Sequence, residues 1–352
     1  MTHATRERLL RVRCAVKAAV CLADREHPLG VEARRILPAA TSLSPENVEL
    51  CLSECLEIAP TDAELTELCR VTPIAGAAHV LLSANVFVGA HRAIAVALAS
   101  SERVSVRPSR REPHMTELLQ RAGAPIEIVP ELRPGAGDHV WAYGADETLR
   151  SVRAALPAQV AFHAHGSGFG VAIVSASSDL DAAAAALARD VVPFDQRGCL
   201  SPRVAFVVGD AGSARDFAKA LAESLAAFAE RVPRGQLSGE ERAAERRYRD
   251  LAAYSGELFA GPAYAVSVSE DQPGAPLLMP PVGRHVHVVG TGDFTRRIET
   301  IRPSVTAVGV VGPTALHEHI ASVVPRARVS ALGTMQRPPL DGPVDRRQLI
   351  PS

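Results

Sequence analysis

The fold is decided by residues 79–107, HVLLSANVFVGAHRAIAVALASSERVSVR. The apolar run at 79–83 predicts a strand, the alanine-rich stretch at 87–99 predicts a helix, and residues 104–107 predict a second strand. The alternation continues, with strands predicted at 126–129, 139–143 and 160–162 and helices predicted at 116–122 and 146–155. This order predicts an α/β fold whose parallel sheet is covered by helices on both faces.

Several of the predicted strands are followed by polar residues or glycine. Asn85, Arg107, Gly144 and the pair His163 and His165 all stand at or just after the end of a predicted strand. Ligands of parallel α/β sheets bind at the carboxyl ends of the strands. We therefore expect a binding site along this edge of the sheet.

The second half of the chain repeats the alternation. Strands are predicted at 204–208, 264–268, 285–289 and 305–311, and helices at 213–230, 238–254 and 314–323. Helices are also predicted at 6–23 and 44–58, and the spacing of Thr61 and Glu64 is that of a capping box. The end of the chain, residues 335–352, is rich in proline and arginine, which predicts an extended arm.

Composition limits the classes of function. The chain has 352 residues, of which 47% are hydrophobic and 22% charged, and its formal net charge is -1. These values predict a globular protein of two domains with no general attraction to nucleic acid or to anionic membranes. We find no export signal and no apolar run long enough to span a bilayer. We expect a cytoplasmic protein, in which the early cysteines are reduced, packed thiols (Cys14, Cys21, Cys51, Cys55, Cys69).

The sixth cysteine lies in residues 192–203, VPFDQRGCLSPR, just after an alanine-rich helix. Cys199 stands between a glycine and a short turn. A thiolate held there by backbone amides near a helix start would have a lowered pKa and could act as a nucleophile. The alternative is a buried, inert cysteine, which is common in proteins.

Taken together, six segments resemble the aldehyde dehydrogenase superfamily and, more closely, its LuxC-type acyl-CoA reductases. They occur in the family's order over roughly residues 27–347, and the cysteine segment and the ending are the more specific. The segments are residues 83–88 (SANVFV), 106–111 (VRPSRR), 143–147 (YGADE), 163–166 (HAHG), 196–202 (QRGCLSP) and 333–343 (GTMQRPPLDGP).

The resemblance implies an aldehyde dehydrogenase-like α/β fold. In that fold, residues 1–167 would form N-terminal helices and a Rossmann-like cofactor domain. Residues 168–324 would form the catalytic α/β domain with the cysteine, and residues 325–352 would form a C-terminal arm. Superfamily members usually form dimers or tetramers through an extended strand, so we expect a homo-oligomer.

The resemblance also assigns catalytic roles. Cys199 corresponds to the nucleophile, and Asn85 to an asparagine whose side-chain amide joins the backbone N–H of the cysteine as an oxyanion hole. The alternative for Asn85 is a polar helix N-cap. His165 stands 34 residues before Cys199, about where oxidising members carry a glutamate that activates water. An imidazole there fits a reductase, because it could deprotonate the thiol and later protonate the oxyanion that forms the aldehyde. His163 is the alternative acid or base.

The expected cofactor is NADPH, with NADH as the alternative. Arg107 corresponds to a lysine that contacts the adenosine ribose. Arg110 lies near the position where NAD-preferring members carry an acid, and an arginine attracts a 2′-phosphate. Ser109 lies between them, and all three could instead belong to a solvated charged turn. Gly144 and Ala145 would open a helix on whose N–H groups the pyrophosphate rests, although the family usually has serine at the alanine.

Histidine pairs at 163/165, 285/287 and 317/319 raise the possibility of a metal, but we see no third ligand at suitable spacing and expect no metal site. The function that the resemblance implies is NADPH-dependent reduction of an acyl-CoA or acyl-carrier thioester to an aldehyde. Two alternatives remain open at this point: an aldehyde dehydrogenase that releases the free acid, and a non-catalytic acyl-binding relative. Neither the chain length of the acyl group nor its carrier can be read from the sequence.

Overall fold

The computed structural model describes residues 3–271 and 277–347. These residues divide into two compact units. The first unit takes its described residues from 1–41, 51–167 and 337–352, and the second from 42–50 and 168–336. The predicted arm of 325–352 is therefore divided: its part up to Gln336 joins the second unit and includes a strand, and its part from Arg337 joins the first.

The helices, in chain order, are α1 (His3–Ala23), α2 (Pro28–Thr41), α3 (Pro45–Leu50), α4 (Asp62–Val71), α5 (Gly89–Ser100), α6 (His114–Arg121), α7 (Asp146–Ala155), α8 (Leu180–Val191), α9 (Ala211–Arg231), α10 (Gly239–Ser255), α11 (Thr295–Ile301) and α12 (Thr314–Val323). The strands are β1 (Ala78–Leu81), β2 (Val104–Arg107), β3 (Glu127–Ile128), β4 (His139–Tyr143), β5 (Ala161–His165), β6 (Phe169–Ser175), β7 (Pro202–Val208), β8 (Glu257–Gly261), β9 (Tyr264–Glu270), β10 (His285–Thr291), β11 (Val305–Val311) and β12 (Arg328–Ala331).

Helix α2 is one of the elements that the sequence did not predict. It contains Pro38, and Gly30 lies near its start, so its sequence carries two helix-breaking signals. A side chain at Gly30 would come within 1.8 Å of the backbone oxygen of Asp24. The glycine is therefore required for α2 to begin so close to the end of α1.

The first unit contains a five-stranded parallel sheet in the order β3-β2-β1-β4-β5. Helix α5 is buried along nearly its whole length, and it packs against β1, β2 and α1. Leu149 of α7 packs against Val140 and Ala142 of β4 and Ala164 of β5. This is the parallel α/β arrangement that the strand and helix alternation predicts.

The second unit contains a seven-stranded sheet in the order β12-β11-β6-β7-β10-β9-β8. All neighbouring strands are parallel except β8, which runs antiparallel to β9. Helix α9 packs on β9 and β10. A separate apolar cluster joins Val171 of β6 and Val204 of β7 to Ile298 of α11 and Ile320 of α12.

Residues 337–347 contain several bends and form neither a helix nor a strand, and a buried arginine binds them within the first unit. Arg92 donates through its Nη atoms to the carbonyl oxygens of Pro338 at 2.5 Å, Pro339 at 2.9 Å and Gly342 at 2.8 Å. Its Nε donates to the carboxylate of Glu57 at 2.8 Å. The planar guanidinium thus satisfies three backbone acceptors while its charge stays paired.

The expected capping box at α4 is only half formed. Thr61 accepts the backbone N–H of Glu64 through Oγ1 at 3.2 Å, as predicted. The Glu64 carboxylate instead accepts the backbone N–H of Leu340 at 3.1 Å. The glutamate therefore helps to hold the C-terminal segment.

The turn that leads from α8 towards β7 has an unusual backbone. Phe194, Asp195 and Gln196 have φ values of 57°, 48° and 66°, so three consecutive non-glycine residues occupy the left-handed region. Each such residue costs about 1 kcal/mol or more. A conformation of this kind persists only where the surrounding structure fixes it.

A buried hydrogen-bond network fixes this turn. Asp195 accepts from Asn47 Nδ2 and Arg284 Nε, each at 3.0 Å, and from the backbone N–H of Gly235 at 2.9 Å. Asn47 also accepts the backbone N–H of Phe194 at 3.1 Å. The side chains of Asp195 and Arg284 are both fully buried, so the Arg284 charge needs the Asp195 carboxylate for compensation, and Arg197 adds a second cation 3.6 Å from this carboxylate.

We predict that Asp195→Asn, which keeps the shape but removes the charge, lowers the free energy of unfolding by about 3–5 kcal/mol because it leaves Arg284 buried without its counter-ion. Urea denaturation measures this change. The matched control is Glu257→Gln, which removes the carboxylate of the solvent-exposed ion pair with Arg215 and should leave the unfolding curve in place. Equal effects of the two substitutions would contradict the importance of the buried pair.

Candidate active site

The polar residues predicted at strand ends come together at one edge of the first sheet. Strands β2, β1, β4 and β5 are consecutive neighbours and parallel, so their carboxyl ends lie on the same side. Arg107 ends β2, Asn85 follows β1, Gly144 follows β4 and His165 ends β5. This edge therefore carries, on neighbouring strands, a guanidinium, a side-chain amide, a glycine backbone and an imidazole.

Asn85 is exposed, and its side chain has a defined orientation. Its Oδ1 accepts from Arg111 Nη2 at 2.9 Å, which leaves Nδ2 as the donor that an oxyanion requires. It does not cap a helix, since α5 begins only at Gly89 and its N-cap is Val88. The sequence did not predict that Arg111 orients the Asn85 amide. The one feature that could have indicated it is the pair of adjacent arginines, Arg110 and Arg111.

Arg107, Ser109 and Arg110 lie on and just after the end of β2. Arg107 is half-buried and Arg110 is exposed. Within residues 3–271 and 277–347, neither arginine pairs with a carboxylate. Ser109 accepts the backbone N–H of Arg111 through Oγ at 3.2 Å, which tightens the turn. The turn thus offers two uncompensated cations at the sheet edge.

The backbone after β4 suits a phosphate-bearing ligand. Ala145 is the N-cap of α7 and makes no side-chain cap, so the first N–H groups of this ten-residue helix are not covered by a capping side chain. A Cβ built on Gly144 would meet nothing within 4 Å, which leaves open space beside the backbone. Asp146, in the first turn, is engaged with the backbone N–H of Ser167 at 2.8 Å. Together with the two cations after β2, these groups fit a dinucleotide cofactor.

The two histidines of β5 have different surroundings. The ring of His163 is stacked on Trp141 at 4.6 Å and hydrogen-bonded to His139 through Nε2 at 3.0 Å. His165 is stacked on Tyr143 at 4.5 Å, but both of its ring nitrogens are buried and have no hydrogen-bond partner in the described part of the chain. Of the two, His165 is the one whose ring nitrogens both lack a hydrogen-bond partner among the described residues.

Both histidines are neutral at pH 7. Burial lowers the pKa of His165 to about 4, with the Asp345 carboxylate opposing the shift and Arg347 adding to it. Burial and the neighbouring rings of His139 and His165 lower the pKa of His163 to about 4. Each ring therefore enters any reaction near neutral pH without a charge.

In the second unit, Cys199 is half-exposed and lies in a tight turn. The backbone N–H of Ser201 donates to the carbonyl of Gly198 at 3.1 Å, so Cys199 is the first central residue of the turn. The expected helix start is wrong, because the short turn Pro193–Gln196 precedes this segment and strand β7 follows it. Any activation of the thiol comes from this turn rather than from a helix terminus.

Gln196 attaches the cysteine turn to the sheet. Its Nε2 donates to the carbonyls of Pro202 and His285, each at 2.6 Å, and its Oε1 accepts the backbone N–H of His285 at 2.8 Å. A Cβ on Gly170 of β6 would lie 2.3 Å from the carbonyl oxygen of Leu200, so the glycine lets the turn pack closely against the sheet. Gln196 lies in the segment that resembles the family, but no local pattern predicts that its side chain attaches the cysteine turn to the sheet.

The six cysteines are all thiols, and their exposure differs. Cys51, Cys55 and Cys69 are buried, as expected, and burial raises the pKa of Cys69. Cys14 is exposed, so the prediction that all early cysteines are packed is wrong for this residue. Cys199 differs from the others because it combines partial exposure with a turn that its neighbours hold rigidly.

Metal binding and membrane crossing are two further properties to compare with the described residues. Among residues 3–271 and 277–347, no group of three or more His, Cys, Asp or Glu side chains is arranged to hold a metal ion. In the same part of the chain, no helix has the length and apolar character that crossing a membrane requires.

Comparison with solved structures identifies the fold. An oxidoreductase from Marinobacter aquaeolei superposes with a TM-score of 0.72 at 15% identity, covering 94% of this chain and 78% of that chain. A NAD-dependent benzaldehyde dehydrogenase from Corynebacterium glutamicum gives 0.70 at 16% identity, covering 95% and 81%. The NADP complex of a glyceraldehyde-3-phosphate dehydrogenase from Bacillus halodurans C-125 gives 0.64 at 15% identity, covering 92% and 78%. Identities this low show the fold alone, and they confirm the predicted aldehyde dehydrogenase-like architecture.

Sequence comparison gives the family. No curated protein matches the chain. The sequence profile of the acyl-CoA reductase (LuxC) family matches residues 127–345, which is more than half of the chain and includes His165 and Cys199. The matched family is one of acyl-CoA reductases, and the fold is shared with aldehyde dehydrogenases. The chain therefore belongs to the acyl-CoA reductase (LuxC) family, as its sequence segments predict.

Proposed function

We propose that this enzyme reduces an acyl thioester, carried by CoA or by an acyl carrier, to an aldehyde with NADPH. The observation that carries the proposal is Cys199, a half-exposed thiol in a rigid turn within the residues that match the family. A nucleophile must be reachable and must keep its place while bonds change. Cys199 meets both requirements, and it is the cysteine of the sequence that lies within the family-matched residues 127–345.

The proposed reaction consists of acyl transfer to Cys199, reduction of the thioacyl group and release of the aldehyde. The sulfur of Cys199 attacks the thioester carbon, the bond from that carbon to the carrier sulfur breaks, and the carrier thiol leaves with the proton of Cys199. A bound NADPH supplies the hydride that reduces the thioacyl carbon. The bond from this carbon to Cys199 then breaks, which releases the aldehyde and a Cys199 thiolate. The thiolate takes up one proton from water before the next turnover.

Two residues of the first unit are assigned supporting roles. Asn85, with its amide oriented by Arg111, donates Nδ2 to the oxygen of the reacting carbonyl. His165, neutral at pH 7, accepts the thiol proton at a ring nitrogen and passes it to the departing carrier thiol. His163 is assigned a structural role, because its ring is already committed to His139 and Trp141. An imidazole in place of a carboxylate favours reduction over hydrolysis of the acyl-enzyme.

Arg107, Ser109, Arg110, Gly144 and Ala145 are assigned to the cofactor. The support is the open N-terminus of α7 and the two cations after β2, which have no carboxylate partner in the part of the chain that the structure describes. Arginine binds phosphate groups bidentately, so the turn after β2 favours the 2′-phosphate of NADPH over the bare ribose of NADH. We further propose that the enzyme works as a cytoplasmic homo-oligomer, where reducing conditions keep its six cysteines as thiols.

We predict that Cys199→Ala abolishes aldehyde formation from acyl-CoA and NADPH, because the proposed reaction passes through a thioacyl bond to this sulfur. The readout is aldehyde production measured alongside cofactor oxidation. Cys14→Ala, which removes an exposed thiol in the other unit, should retain full activity. Aldehyde formation by Cys199→Ala would refute the covalent route. Conversely, oxidation of an aldehyde to the free acid without CoA would favour an aldehyde dehydrogenase, and failure to bind any nicotinamide cofactor would favour a non-catalytic relative.

We predict that His165→Gln lowers kcat about 10²–10⁴-fold, the usual contribution of general acid–base catalysis, and that His163→Gln has a much smaller effect. Since the pKa of His165 is about 4, the wild-type rate should not pass through a break at the ordinary histidine pKa of about 6.5 as the pH falls. Rate profiles between about pH 5.5 and 7.5 measure this. A break near pH 6.5 that His165→Gln removes would contradict the neutral, buried imidazole.

We predict that Arg110→Asp lowers kcat/KM for NADPH at least tenfold and leaves kcat/KM for NADH unchanged or raised, because a carboxylate repels the 2′-phosphate. Initial rates with each cofactor at saturating acyl-CoA give the ratio. Arg133→Asp changes an exposed arginine of the same unit and is the control. Equal losses with the two cofactors would remove Arg110 from the 2′-phosphate site.

A further inference from the structure

Strand β7 begins with an irregularity immediately after the cysteine turn. Pro202 pairs with Gly170 of β6, and Val204 pairs with the next residue, Val171, so Arg203 is an extra residue on β7. Such bulges re-aim a side chain and are common beside active sites. Arg203 is the fourth residue after Cys199.

Among the described residues, the charge of Arg203 has no carboxylate within ion-pair distance. The side chain is half-buried, and its Nε is buried without a hydrogen-bond partner in the same part of the chain. By contrast, three arginines that are more deeply buried, Arg92, Arg284 and Arg297, form ion pairs with Glu57, Asp195 and Asp271 respectively. Burial lowers the pKa of Arg203, but an arginine does not lose its proton in a protein.

A half-buried cation without a carboxylate partner is unfavourable, and this indicates a ligand. Arg203 is half-buried, and taking a charge partly out of water without a partner costs free energy. The strand neighbours Val171 and Val204 belong to an apolar cluster that also contains Phe169. An anion that reached the guanidinium would be attracted more strongly than in open solvent, because the buried Nε has no hydrogen-bond partner among the described residues.

We propose that Arg203 binds an oxyanion of the thioester substrate, and that this oxyanion is a carboxylate on the acyl group. The preferred substrates would then be monothioesters of short dicarboxylic acids. The other source of an oxyanion, a phosphate of CoA, is separated from the thioester by the whole pantetheine arm. Arg203 lies no more than about 14 Å along the chain from Cys199, which favours a group close to the reacting carbon. This inference rests on the proposed function, since Cys199 defines where that carbon lies.

The test compares acyl groups that differ by the carboxylate: succinyl-CoA against butyryl-CoA, and glutaryl-CoA against valeryl-CoA. Wild-type enzyme should favour the dicarboxylyl thioesters at least tenfold in kcat/KM. Arg203→Met should lower kcat/KM for them about 10- to 100-fold, the worth of a charged hydrogen bond, while the values for butyryl-CoA and valeryl-CoA stay within about twofold. Arg203→Lys should fall between. Arg296→Met, which removes an exposed arginine of the same unit, is the control and should leave all values unchanged.

The same acyl groups on N-acetylcysteamine, which carries no phosphate, distinguish the two sources of the oxyanion. The effect of Arg203→Met should persist with these thioesters. If it appears only with CoA thioesters, the group bound is a CoA phosphate and the carboxylate assignment is overturned. Equal losses with dicarboxylyl and simple acyl groups would also overturn it.

A binding measurement keeps this inference separate from the proposed reaction. Succinate or glutarate should raise the Tm of the wild-type protein and of Cys199→Ala, since a ligand stabilises the folded state that binds it, and should leave the Tm of Arg203→Met unchanged. A Tm shift without aldehyde formation would retain the anion site and reject the reductase. Aldehyde formation without a Tm shift or a preference for dicarboxylyl groups would retain the reductase and reject the anion site.

Discussion

The ion pair between Asp195 and Arg284 is the constraint on which the proposed nucleophile depends. Both side chains are fully buried, and the Asp195 carboxylate also holds Asn47 and the Gly235 backbone. These contacts compensate for three successive left-handed residues, and the last of them, Gln196, is bound to the starts of two strands. The chain therefore enters the cysteine turn from a fixed point. The folded protein therefore already holds the Cys199 thiol in place, so the thiol loses little conformational entropy when it attacks a substrate.

In the first unit, a few contacts likewise orient the candidate site residues at the edge of the sheet. Parallel pairing alone brings Arg107, Asn85, Gly144 and His165 to one side, and short-range contacts then decide what each can do. Arg111 accounts for the Oδ1 end of the Asn85 amide and leaves Nδ2 to donate. Stacking on Tyr143 holds the His165 ring, whose nitrogens have no partner among residues 3–271 and 277–347. The C-terminal segment, bound by Arg92, brings Asp345 and Arg347 close enough to influence the pKa of His165.

Sequence patterns were sufficient for the α/β architecture, because strands β2, β4 and β11 and helix α7 have clear periodicity and clear ends. They failed for α2, where Gly30 and Pro38 hide a helix that tertiary packing stabilises. Candidate site residues could be selected because strand ends are visible in a sequence. The resemblance favours His165 over His163, but neither the different contacts of the two rings nor the lack of a carboxylate near Arg203 among the described residues could be predicted. Both depend on contacts with residues distant in the chain and, for Arg203, on a register shift that no local pattern records.

Intact-protein mass spectrometry after mixing the enzyme with acyl-CoA, in the absence of any nicotinamide, gives the sharpest test of thioester chemistry at Cys199. We expect one acyl group per chain, located by peptide mapping on the segment that contains Cys199, and we expect NADPH to remove it as aldehyde. A protein of unchanged mass, or an acyl group carried by one of the other five cysteines, would contradict the assignment of Cys199 as the nucleophile.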